Sequence, residues 1–233
     1  MKIFIGYDSR EDIAFEVARA SILEHIDAEV LALRLDDLRE MGMYWRDPDP
    51  LSATEFSFSR FLVPALCNFK GRALFMDCDF LVRKSLKPLL DFTNPDIAVW
   101  CVQHDYKPTA LTKMDGQVQR QYPRKNWSSV VLWNCEHEKN RVVTPEFVNN
   151  SEGLKLHRFT WLDDNDIGDL DIRWNWLVGE YDDPPDDVKN VHWTVGGPYF
   201  HEYENSDFSS EWFAQREKMQ YCLQRNAQLL NKK

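Results

Sequence analysis

The chain has 233 residues, 43% of them apolar and 13% aromatic, enough for one sizeable core and too few for two full domains. This composition excludes disorder, and no run approaches the roughly 18 apolar residues that mark a membrane span. The formal charge of −10 argues against nucleic acid as a partner, because phosphate backbones are gripped by clustered Lys and Arg.

Lys2 to Tyr7 reads as a first strand, too brief at its start for a signal peptide. Asp8 to Asp12 is a turn, in which Ser9 and Asp12 have the spacing of a capping box. A helix is expected from there to about His25, and Glu29 to Leu35 alternates like a second strand. Residues 36–54 are polar, carry Pro48 and Pro50, and predict a surface loop. Phe56 to Leu66 predicts a helix, Arg72 to Met76 a strand, Leu86 to Phe92 a short helix and Ile97 to Val102 a strand. The long polar stretch His104 to Asn126 predicts a lid or substrate wall, since a loop of that length in a compact domain usually carries function. Ser129 to Trp133 is a further strand. Beyond about residue 135 the pattern loosens, until a final helix near Ser209 to Leu230.

This alternation predicts an α/β fold of Rossmann type: one domain with a mixed, mostly parallel sheet flanked by helices and an irregular C-terminal half. A nucleotide-binding half is expected over about 1–102 and an acceptor and metal-loop half over about 103–233. In such folds ligands gather outside the carboxyl ends of the strands. Five cysteines without C-x-x-C spacing fit reduced thiols in a cytoplasmic protein. Peripheral contact with a membrane surface stays open, as does oligomeric state.

Asp77-Cys78-Asp79 lies where the apolar run Ala73-Leu74-Phe75-Met76 gives way to a loop. Both carboxylates can turn toward one point there, with Cys78 facing away. Two hard oxygen donors at a strand end suit Mg²⁺ or Mn²⁺ near phosphate. An acidic protein handling a diphosphate needs such a local positive charge.

The stretch Ala73 to Val82, with Leu86-Lys87-Pro88-Leu89, resembles the D-x-D segment of nucleotide-sugar glycosyltransferases with the GT-A fold, closest to glycosyltransferase family 8. Ile3 to Asp8 resembles that family's nucleoside-cradling strand, and Phe58-Ser59-Arg60-Phe61 its arginine-bearing helix. Val191-His192-Trp193-Thr194-Val195-Gly196-Gly197-Pro198 resembles its late histidine loop. The resemblance spans roughly residues 1 to 200 and implies a UDP-sugar donor, a carbohydrate, glycolipid or other hydroxyl acceptor, Mn²⁺ (or Mg²⁺), and retention of anomeric configuration. The family's lysine on the diphosphate is absent, since Gly197-Pro198-Tyr199 stands where Lys-Pro-Trp is usual.

On this resemblance the metal ligands are Asp77, Asp79 and His192, and a histidine ligand favours Mn²⁺. Donor contacts fall to Tyr7, Asp8, Arg60, Asp77, Cys78, Gly196 and Gly197, with Asp8 accepting from the N3–H of uracil. Alternatively, Asp8 is a helix-start anion and Arg60 a partner in an interior or rim ion pair. Asp164 and Asn165, with Arg60, are the candidate catalytic residues, because Asp163-Asp164-Asn165-Asp166 resembles a D-Q-D stretch that touches the donor sugar. Ser128 or Ser129 would lie near the sugar, and Trp174 and Trp176 in the core or an acceptor wall. A D-x-D-type phosphohydrolase and a non-catalytic sugar-nucleotide-binding protein are the alternatives.

Overall fold

A computed structural model describes residues 1–49, 52–105 and 123–230 of the chain. Six strands form the main sheet in the order β2-β1-β3-β6-β5-β7: β1 (Lys2–Gly6), β2 (Glu29–Leu33), β3 (Arg72–Met76), β5 (Val99–Cys101), β6 (Val130–Asn134) and β7 (Ile167–Asp169). β1 pairs in parallel with β2 and β3, and β5 with β7, whereas β6 runs antiparallel to both β3 and β5. Five strands therefore point the same way. Their carboxyl ends and the amino end of β6 share one edge of the sheet, where an open α/β fold binds its ligands.

β3 and β6 are buried almost throughout, which is why they read as unbroken apolar runs instead of alternating ones. Helix α1 (Asp12–His25) packs Ala14, Phe15, Val17, Ala18 and Ile22 inward. A second sheet, in the order β4-β9-β8, joins β4 (Phe80–Val82), β9 (Asn190–His192) and β8 (Trp176–Leu177). A smaller core around Leu81, Trp176, Val191, Trp193 and Trp212 lies between this sheet, α1 and α6 (Ser209–Leu230).

Several sequence expectations need correction. The polar stretch after β2 opens with a short helix, α2 (Leu35–Glu40). The expected helix over 56–66 is a 3₁₀ turn (Ser59–Leu62) leading into α3 (Val63–Leu66), and that over 86–92 is 3₁₀ alone (Lys87–Asp91). The irregular half holds α4 (Pro145–Asn150) and α5 (Gly153–His157) besides β7, β8 and β9. The turn after β1 is capped by Asp8 and not by Ser9: the Asp8 carboxylate accepts from the Arg10 N–H, while the Ser9 hydroxyl donates to Glu55. Most of the expected lid, residues 106–122, lies outside the described residues. Among the described residues no helix is long and apolar enough to cross a membrane.

Candidate active site

The D-x-D motif leaves β3 at the ligand-binding edge. Asp77 is fixed by its backbone, whose N–H donates to the Ser129 carbonyl at the start of β6 (3.0 Å). Asp79 precedes β4, where Phe80 pairs with His192 of β9, and its carbonyl accepts from the Trp193 N–H (3.0 Å). Two sheets thus bring residues 113 positions apart in the chain to one point. One ligand atom from each of Asp77, Asp79 and His192 lies within 4.8 Å of the others.

The donor set fits a divalent cation. His192 is 1% exposed, stacked on the Phe80 ring (centroids 4.2 Å apart), with Nε2 3.3 Å from Asp79 Oδ1. Those two atoms are buried and have no hydrogen-bond partner among the described residues. Buried polar atoms without partners cost roughly 1–3 kcal/mol each, and a cation between them would satisfy both.

Arg60 is buried and donates from Nη1 to Asp77 Oδ1 (2.6 Å) and to the Ser128 carbonyl (3.0 Å). In this structure it is the ion-pair partner of a candidate ligand. Cys78 does face away, as expected: its thiol is wholly buried and directed at Glu11 Oε2 (3.8 Å). It therefore offers no side chain to a donor.

Glu11, which the sequence reading missed, is 1% exposed. Burial, followed by the charge of Asp79, lifts its carboxyl to about 8. The Tyr199 hydroxyl donates to its Oε1. The Gly196-Gly197 pair has a packing reason too: a Cβ would meet the Tyr203 ring at 2.3 Å from Gly196 and the Tyr199 ring at 2.2 Å from Gly197.

Asp8 is fully buried, and each of its oxygens is occupied, by Arg10 and by the Glu55 N–H. Burial raises its pKa, but those hydrogen bonds and the Arg10 charge outweigh burial and hold it below the ordinary Asp range. Its place is the helix-start anion. Tyr7 donates to Asp12 (2.6 Å) and carries the Arg34 guanidinium 3.5 Å above its ring. Tyr7 and Arg34 line a cavity of about 680 Å³ at the carboxyl ends of β1 and β2, with Arg10, Tyr44, Arg46 and Glu55 among its walls.

Asp164 and Asn165 are not brought to this site. The Ala98 N–H donates to the Asp166 carbonyl (2.8 Å), and Ile167 pairs with Val99, placing the whole turn at the amino end of β7. The ligand edge lies at the other end of β7, a strand of three residues, roughly 10 Å at about 3.3 Å each. Asp164 is 89% exposed and paired with Arg124, and Lys139 holds Asp163 and Asp166. The carboxylate of this segment at the ligand edge is Asp169, which accepts from the Gln103 N–H (3.2 Å).

Ser128 and Ser129 are buried, the first against His157 Nδ1 (2.9 Å) and the second donating to the Asn126 carbonyl (2.7 Å), so neither hydroxyl faces an open site. Trp174 and Trp176 are core residues. His104, another residue the sequence reading missed, follows β5 and bonds Tyr181 (2.8 Å). Burial, then the neighbouring His192, pushes its pKa down to about 3.

No family model matches the chain. It is 47% identical over 223 residues to Protein CDI of Arabidopsis thaliana, a match covering 93% of this chain and 86% of that one. The chain belongs to the family of Protein CDI. Among solved structures it resembles the galactosyltransferase LgtC in complex with donor and acceptor sugar analogs, with a TM-score of 0.59 at 14% identity over 94% of this chain and 96% of that one. It also resembles the glycosyltransferase GlyE of Streptococcus pneumoniae TIGR4 (TM-score 0.61, 13% identity, 92% of this chain) and the bifunctional glycosyltransferase WbbM (0.57, 14%, 93%). It spans 59% of GlyE and 49% of WbbM. At these identities the likeness establishes the GT-A fold.

Proposed function

We propose that this chain is a metal-dependent glycosyltransferase, moving a sugar from a UDP-sugar to a hydroxyl of a carbohydrate, glycolipid or other acceptor. The observation that carries the reading is the convergence of Asp77, Asp79 and His192, with two buried orphan atoms, on the ligand edge of a GT-A sheet. The cavity beside it, walled by Tyr7 and Arg34, has the size and the aromatic and cationic lining for a nucleoside.

Asp77, Asp79 and His192 would hold Mn²⁺ (or Mg²⁺), the imidazole favouring Mn²⁺. Once bound, the ion supplies Lewis-acid stabilisation of the departing diphosphate. The chain's own residues do the rest. Arg60 holds Asp77 and places a guanidinium beside the developing charge, preorganised before the donor arrives. Gly197 offers its backbone N–H where a family lysine is missing, while the Gly196 N–H is held by the Trp193 carbonyl (3.0 Å). Asp8 keeps Arg10 at the cavity rim, so base recognition runs through that rim. Asp169 is the carboxylate placed to hold a sugar hydroxyl. Retention of configuration rests on the family 8 resemblance. A phosphohydrolase is disfavoured, because in that family the motif lies on the first strand, whereas Asp77 follows β3.

The test is a panel of nucleotide-sugars with Mn²⁺, followed for release of free sugar and UDP. Hydrolysis of a UDP-sugar that stops on chelation supports the reading. Binding with no turnover of any donor or acceptor would make the chain a sugar-nucleotide binder.

A further inference from the structure

Asn175 lies between the core residues Trp174 and Trp176. The structure buries it completely between the two sheets, where its amide joins two hydrogen bonds. Oδ1 lies 2.9 Å from His192 Nδ1, and Nδ2 donates to Ser129 Oγ (2.8 Å). Ser129 Oγ in turn donates to the Asn126 carbonyl (2.7 Å).

The direction of this chain is fixed at its far end. A backbone carbonyl can only accept, so the Ser129 hydroxyl spends its proton on Asn126 and must accept from Asn175. That points the Asn175 amide nitrogen at Ser129 and its oxygen at His192. An amide oxygen only accepts, so His192 Nδ1 carries the ring proton. In the neutral ring Nε2 then presents a lone pair toward Asp79 Oδ1, 3.3 Å away. With the amide turned over, Nε2 would carry the proton and could not ligate. Ser129 also holds the other arm of the site, because its carbonyl accepts from the Asp77 N–H (3.0 Å).

We propose that Asn175, oriented by Ser129, is a positioning residue that sets His192 as an Nε2 metal ligand and ties the β9 ligand to the β3 ligand across the sheet interface. The inference rests on the metal site proposed above. Hydrogen bonds of this kind to a ligating imidazole are worth about 10–100-fold in metal affinity.

The experiment measures Mn²⁺ binding to the full chain by the free-ion electron paramagnetic resonance signal, without donor or acceptor. The variants are Asn175→Ala, Asn175→Asp, Ser129→Ala and His192→Ala. Asn175→Ala is expected to weaken Mn²⁺ about 10–100-fold. Asn175→Asp, which keeps an acceptor on Nδ1–H, is expected to restore most of that affinity, and Ser129→Ala to lie between wild type and Asn175→Ala. If Asn175→Ala is insoluble, the Ser129→Ala and Asn175→Asp values decide. Mn²⁺ bound equally tightly by wild type and Asn175→Ala, or equally weakly by the Ala and Asp variants, overturns the positioning role. No Mn²⁺ binding by wild type overturns the metal site itself, an outcome distinct from the first because His192→Ala would then change nothing.

Discussion

The two aspartates of the motif should respond unequally to removal when no metal is present. Asp77 is paired with Arg60 at 2.6 Å, with side chains 13% and 7% exposed. Truncation to alanine leaves a buried guanidinium whose one remaining hydrogen bond among the described residues is to the Ser128 carbonyl. Breaking a buried pair in this way costs about 3–5 kcal/mol. Asp79 instead has an oxygen with no hydrogen-bond partner, faces His192 Nε2, and raises Glu11 through its charge. Its removal relieves repulsion in the metal-free protein and should cost about 1 kcal/mol or less. For a chain of this size each kcal/mol moves Tm by roughly 2–4 °C, so Asp77→Ala should fall on the order of 10 °C below wild type in EDTA. Asp79→Ala should stay within a few degrees. Urea unfolding gives the same comparison at 25 °C, and added Mn²⁺ should raise the Tm of wild type but of neither variant. Equal losses for the two variants in EDTA, or an Asp77→Ala midpoint unchanged from wild type, would refute the asymmetric-pair reasoning.

Asp164→Asn should leave sugar transfer and stability close to wild type, while Asp169→Asn should lower kcat/KM by about 10–100-fold, the worth of one charged hydrogen bond to substrate; steady-state kinetics with the best donor checks both. Glu11, lifted to about 8, binds a proton in the folded chain that the unfolded chain releases near 4.5. Its contribution is therefore full below about 4.5 and is lost as pH rises through about 8, and Glu11→Gln should remove this decline in urea melts run in EDTA. Trp212 is 1% exposed in the second core, so Trp212→Ala should cost about 3–5 kcal/mol and expose α6 to limited proteolysis.

The long elements were legible because their signals are local. Apolar runs marked β1, β3 and β6, and helical periodicity with flanking polar residues marked α1 and α6. The convergence of Asp77, Asp79 and His192 was legible as well, because a D-x-D after an apolar strand and a histidine before two glycines are compact motifs. Partners supplied from elsewhere in the chain were not. Arg60 reads as a cation for phosphate or as a member of an ion pair, and only the fold names its partners, Asp77 after β3 and the Ser128 carbonyl before β6. Asp8 reads equally as a base acceptor or a helix-start anion until Glu55, 47 residues on, joins Arg10 in filling both its oxygens. Glu11 looks like a turn acid, and only the fold buries it against Cys78 and Tyr199. Asp164 and Asn165 failed for a topological reason: the motif matched, but a strand follows it directly, so it opens at the wrong end of the sheet. The short strands β4, β8 and β9 span two or three residues each, too few for periodicity to register.

Calorimetric titration of UDP into wild type and His192→Ala, each in EDTA and in Mn²⁺, tests the central claim most directly. UDP should bind wild type markedly more tightly with Mn²⁺ than without, and Mn²⁺ should bind more tightly with UDP by the same factor, as linkage requires. His192→Ala should lose most of that coupling while keeping its metal-free UDP affinity. UDP affinity indifferent to Mn²⁺ in wild type, or coupling undiminished in His192→Ala, would contradict the assignment of Asp77, Asp79 and His192 as a diphosphate-metal clamp.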